Sequence, residues 1–181
     1  MFDNSSEIVY VGIDVGKSNG SMTLMQENKE VMFTFRTEFF KDAMELLVNS
    51  NNNELVIYVE KLWGRPGNSI HSTWGMAEEY GRIKGILESM GLEYVLVAPM
   101  IWQKMYKRNY GLKSSKIYSE RKENLFNVCK KVFPEHKMFK YAADSILICN
   151  YAIDTELNKQ MNLGIKVQEK KKKIKNLTKE K

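Results

Sequence analysis

Three short apolar runs open the chain: "IVYVGIDV" (8–15), "GSMTLMQE" (20–27) and "EVMFTFRT" (30–37). Short polar gaps at Ser18-Asn19 and Asn28-Lys29 separate them, and only antiparallel neighbours can be joined by turns so short, so the pattern predicts a three-strand meander. In "FKDAMELLVNS" the apolar residues Phe40, Ala43, Met44 and Leu47 fall on one helical face, and Asn51 to Asn53 end the helix. "ELVIYVE" (54–60) is apolar on both faces, as in a strand covered on both sides. After the loop "KLWGRPGNSIHS", a helix is predicted over 73–90 and a fifth strand at "EYVLVAP". Helices over 100–108, 115–132 and 139–157 follow, the second capped by "SSK" and the last apolar all round. This order predicts an α/β fold with a five-stranded mixed sheet flanked by helices. Strands 1–3 are antiparallel, and strands 4 and 5 join parallel to strand 1 through helical crossovers.

Composition narrows the picture. With 181 residues, 43% of them hydrophobic, the chain can bury one core. No window is apolar over the roughly 18 residues a bilayer span needs, and "MFDNSSE" lacks a signal-peptide pattern, so a cytoplasmic protein is expected. Cys129 and Cys149 lie far apart within helical apolar patterns and are expected as buried thiols. The net charge of +6 sits at the C-terminal end: residues 166–181 hold eight lysines against two glutamates, leaving 20 basic and 20 acidic residues before them. The expected organisation is a domain over 1–160 and a basic, disordered tail over 161–181, suited to a polyanion or simply to solubility.

Asp14, Glu60 and Asp144 are carboxylates within or at the end of segments otherwise built for burial. An isolated buried carboxylate costs several kcal/mol unless it is paired or bound to a cation, and clustering like charges adds to the cost. A divalent cation relieves both, and hard oxygen ligands select Mg²⁺ or Mn²⁺. Each has an ordinary alternative: a turn acid at Asp14, an exposed strand end at Glu60, and a helix-dipole partner at Asp144. The element order argues for the cation, because it brings all three to one sheet edge.

Taken in order, "GIDVGKSNG", "VYVEKLW", "YVLVAPMIWQK" and "YAADSILICNYA" resemble the RuvC-type Holliday-junction resolvases, especially their divergent phage and viral branch, within the ribonuclease H-like superfamily. The resemblance spans residues 8–154. It implies a homodimeric, nucleoid-associated endonuclease that resolves four-way DNA junctions by paired phosphodiester hydrolysis. Asp14 would bridge two Mg²⁺ or Mn²⁺ ions, with Glu60 and Asp144 each holding one. One ion would activate water and the other stabilise the leaving 3′-oxygen, the ions being about 3.5–4 Å apart.

Lys116 matches in approximate place a family lysine that assists catalysis. Trp63 matches an aromatic that stacks on bases at the junction centre, and Arg65 beside it could reach a phosphate. The helix containing Gly81 and Gly85 is the one the family uses to dimerise. The interleaved aromatics and Lys104, Lys107, Arg108 and Lys113 of the next basic stretch suit backbone contacts to DNA or a plainly solvated face. One position departs from the pattern: where the family carries an acid or histidine three residues before the final aspartate, this chain has Tyr141. That departure keeps open a branched-DNA binder with a degenerate metal site, alongside another ribonuclease H-like nuclease acting on RNA:DNA hybrids or flaps.

Overall fold

The computed structural model describes residues 8–49, 54–62 and 69–177, with side chains through 162. The meander forms as the pattern predicts: β1 (Ile8–Asp14), β2 (Ser21–Gln26) and β3 (Val31–Arg36). A 3₁₀ turn at Thr37–Phe39 leads into α1 (Phe40–Asn49), and β4 spans Glu54–Glu60. Then come α2 (Ile70–Ser89), β5 (Tyr94–Val97), α3 (Pro99–Tyr110) and α4 (Tyr118–Val132). A 3₁₀ turn at Lys140–Ala142 opens α5 (Ala143–Leu177). The sheet order is β3-β2-β1-β4-β5, antiparallel within the meander and parallel from β1 to β4 and from β4 to β5. This is a ribonuclease H-like fold.

Strand periodicity divides the core into two layers. Val9, Val11, Ile13, Met22, Leu24, Ile57 and Val59 pack with Phe40 and Met44 of α1 and Ile83 and Leu87 of α2. Tyr10, Met25 and Tyr58 face the other way, onto Trp102 and Tyr106 of α3, Leu125 of α4 and the buried start of α5. Residues 143–150 of α5 are buried without interruption, because α3, α4 and the sheet cover every side of that stretch.

Several boundaries differ from expectation for local reasons. Pro99 begins α3 instead of ending β5, because proline at the first helical turn lacks only an N–H that would be unbonded there. The "SSK" cap is displaced: the Ser115 hydroxyl accepts from the Ile117 amide, and α4 starts at Tyr118 with no side-chain cap. The boundary drawn at residue 160 falls inside an element, since α5 continues to Leu177 where an irregular tail was expected.

Candidate active site

Register places the three carboxylates. Asp14 ends β1 opposite Ser21 of β2, and Glu60 ends β4, which runs parallel to β1 with Ile13 beside Val59. The next residues, Asp14 and Glu60, therefore emerge side by side on the sheet face that meets α5. That helix lies directly on β1 because of Gly12, where a Cβ would stand 2.4 Å from both the Cys149 amide nitrogen and the Ser145 carbonyl oxygen. A hydroxyl cluster stitches the helix start to β2. Ser21 Oγ donates to Ser145 Oγ at 2.8 Å and lies 3.0 Å from the Tyr141 carbonyl, while Ser145 and Thr23 share a 2.7 Å bond. Asp144 thus enters in the first turn of α5, against Asp14. The dipole reading of Asp144 and its place in the carboxylate cluster hold together.

Asp14, Glu60 and Asp144 are 5%, 8% and 5% exposed and line one cleft of about 650 Å³. The charge at its centre comes from a residue the sequence reading did not assign. Lys122 of α4 donates from Nζ to Asp144 Oδ2 at 2.7 Å and to Asp14 Oδ2 at 3.1 Å. Burial works against its ammonium, but Asp14 and Asp144 outweigh burial and hold the lysine well above its ordinary pKa. Burial first, then the charges of Asp14 and Asp144, raise the Glu60 carboxyl well above its usual range. Burial and Asp14 push Asp144 up to about 6, with Lys122 opposing. Trp102 is fully buried and donates from Nε1 to Glu60 Oε1 at 3.2 Å.

The donor set fits a divalent cation. Asp144 Oδ1 is buried with no hydrogen-bond partner, and three hard carboxylates converge where a single ammonium leaves two of them raised toward protonation. Among the described residues, no three His, Cys, Asp or Glu side chains stand in ready-made ligating geometry, and the cation between Asp14 and Asp144 is Lys122.

The other expected residues divide. Lys116 is exposed ahead of α4 and outside the cleft lining, so the lysine at the carboxylates is Lys122 instead. Its signal was its phase: Lys122 lies three residues before Leu125 and seven before Cys129, on the buried stripe of α4. Arg121 and Tyr118 of the same helix, and His71 and Lys17, also line the cleft. Lys17 crosses Gly75, whose added Cβ would meet its Cδ at 3.0 Å, and reaches Glu78 at 3.8 Å.

Lys104, Lys107, Arg108 and Lys113 are exposed on and just after α3 but do not line the cleft. Trp63 and Arg65 lie outside the described residues. His136 borders a separate groove beside β3. Tyr141 contributes no group to the cleft lining, its ring packing against Phe139 and Arg36 instead. Among the described residues, nothing lies within 4 Å of a Cβ added at Gly81 or Gly85, and none of them makes a contact that explains these glycines. Cys129 and Cys149 are free and buried as expected. Among the described residues, no helix is long and apolar enough to cross a membrane.

The strand order and the helix placement are those of a ribonuclease H-like fold, with three buried carboxylates at one sheet edge. Among solved structures, RuvC from Thermus thermophilus in complex with a Holliday junction substrate matches with a TM-score of 0.58 and 13% identity, over 83% of this chain and 96% of that one. A second Thermus thermophilus RuvC structure matches at 0.57 and 13% identity over the same shares. No family model matches the sequence, and no curated protein does.

Proposed function

We propose that this protein is a structure-selective endonuclease that resolves four-way DNA junctions by metal-dependent phosphodiester hydrolysis, acting as a homodimer. The observation that carries the reading is the convergence of Asp14, Glu60 and Asp144, all buried, in one cleft of a RuvC-like fold. Asp14, Glu60 and Asp144 would hold two Mg²⁺ or Mn²⁺ ions. When bound, such ions supply an activated water and charge stabilisation for the leaving 3′-oxygen.

This chain's own residues do the rest. Trp102 fixes the Glu60 carboxylate by its indole N–H, and Lys122 holds Asp14 and Asp144 in register until metal arrives. Arg121 and Lys17, which line the same cleft, offer positive charge to an incoming phosphate. Lys104, Lys107, Arg108 and Lys113 give an exposed basic surface for backbone contacts, and Trp63 with Arg65 is the proposed wedge at the junction centre. The open face of α2, bearing Gly81 and Gly85 with exposed Ile70 and Trp74, is the proposed dimer contact.

The test is a synthetic four-way junction incubated with the protein and each metal in turn. Paired symmetric nicks that vanish in Asp14→Asn are expected. A second reading, a junction binder that does not cut, is favoured by Tyr141 lying outside the cleft lining where a fourth acid would be looked for. Junction binding without nicks under any metal would establish it, and preferential cleavage of an RNA:DNA hybrid would replace both.

A further inference from the structure

Three side chains form a stack beside the carboxylate cleft. The Phe139 and Tyr141 rings lie 5.6 Å apart with planes 13° from parallel, and the Arg36 guanidinium is 4.7 Å from the Tyr141 ring centroid. The stack is anchored: Arg36 Nη1 donates to the Ser18 carbonyl at 3.3 Å, and the Tyr141 carbonyl lies 3.0 Å from Ser21 Oγ. Phe139 is nevertheless 64% exposed. A lone exposed phenylalanine needs no explanation. A ring held at fixed tilt by a second aromatic, with a guanidinium at hand, has the parts of a surface on which bases stack.

The surroundings select the occupant. A groove of about 230 Å³ adjoins Phe139, lined also by Met32, Phe33, His136 and Lys137. At a water's share of about 30 Å³ it has room for about eight waters, the scale of one planar heterocycle and too small for a helix or strand. Addition of a strand to the sheet edge is further discouraged by the register shift at Leu24/Met25, where β2 meets the edge strand β3. Arg36 and Lys137 supply the positive charge a phosphate-linked ligand requires.

Register gives the distance to the chemistry. Arg36 is opposite Ser21, and Ser21 is opposite Asp14. Adjacent strands are about 4.8 Å apart, so the Arg36 end of the stack sits about 10 Å from Asp14, and the exposed Phe139 ring forms the other end, beside Met32 and Phe33 of β3.

The geometry points to Phe139, Tyr141 and Arg36 as a platform that stacks an unpaired nucleobase of the strand whose phosphate lies at the carboxylates. The inference rests on the nucleic-acid reading above and accounts for an aromatic at position 141, because an acid there could not complete the stack.

The test uses the full chain with a short single-stranded oligothymidylate carrying one 2-aminopurine, and a four-way junction with 2-aminopurine unpaired beside the crossover. The wild-type protein is expected to quench both. Phe139→Leu, at an exposed position, should keep the wild-type melting temperature, lose the quenching and bind the oligonucleotide roughly 5- to 150-fold more weakly, the equivalent of one base stack. Phe139→Trp should restore both, and Arg36→Lys should lose part of each.

Absence of quenching by the wild type, or wild-type binding and quenching by Phe139→Leu, would overturn the platform. Junction cutting is scored separately. Phe139-dependent quenching in a protein that cuts no junction keeps the platform and removes the resolvase reading. Junction cutting with quenching indifferent to residue 139 does the reverse.

Discussion

Lys122 donates to both Asp14 and Asp144 from a position only one-fifth exposed, so its loss leaves two buried carboxylates without their cation. Breaking a buried pair from one side costs about 3–5 kcal/mol, or roughly 6–20 °C of melting temperature at this size. Lys122→Met without metal should melt lower by that amount, and Mg²⁺ or Mn²⁺ should raise its melting temperature more than the wild type's. Thermal unfolding with and without metal measures both.

The carboxyls themselves set a pH signature. In the folded state Asp144 is raised from 3.8 to about 6 and Glu60 well above its usual value, so the folded protein holds protons that the unfolded chain has already released. Metal-free stability should therefore fall as pH rises from about 4 to about 6. Metal binding needs ionised carboxylates, so stabilisation by Mg²⁺ should grow across the same window. Melting curves over that range, with and without metal, check both slopes.

At the scale of elements, one glycine decides how closely α5 approaches the sheet. In Gly12→Ala the new methyl would sit 2.4 Å from backbone atoms of Ser145 and Cys149, and backbone cannot rotate away as a side chain can. Overpacking of this kind costs about 1–3 kcal/mol or more, and moving α5 carries Asp144 away from Asp14. A lower melting temperature together with lost junction cutting is the expected pair of results.

The α2 glycines predict the opposite sign. Gly81 and Gly85 face open space, so alanine at each should raise monomer stability by about 1 kcal/mol through helix propensity while weakening any self-association that depends on close backbone approach. Denaturant unfolding and sedimentation separate the two effects. Unchanged self-association would remove the proposed dimer face.

At the scale of the whole molecule, the +6 charge is concentrated in residues 166–181, the eight lysines of the last part of the chain. Each phosphate they neutralise adds about 0.9 to the slope of log affinity against log salt. A chain ending at residue 165 should bind junction DNA with a shallower salt slope than the full chain. Fluorescence anisotropy at several salt concentrations reads the difference, and equal slopes would leave the tail without a backbone role.

The sequence by itself determined the succession of elements, the pairing sense of the strands and which carboxylates fall in segments built for burial, because these follow from local rules. Short turns force an antiparallel meander, an apolar run on both faces marks β4 as internal, and Asp14, Glu60 and Asp144 stand out as charges in segments built for burial. The phase of Lys122 on α4 was also written there, masked by charged neighbours at Arg121 and Glu123 that made the helix read as a solvated face.

What only the tertiary structure decided is which side chains meet across elements. The contact of Gly12 with α5, the Lys122 bridge, the Trp102 bond to Glu60 and the packing of Tyr141 against Phe139 and Arg36 each join residues distant along the chain or facing each other across a turn. Such contacts depend on register and helix rotation, and periodicity defines a buried face without naming the atom opposite it.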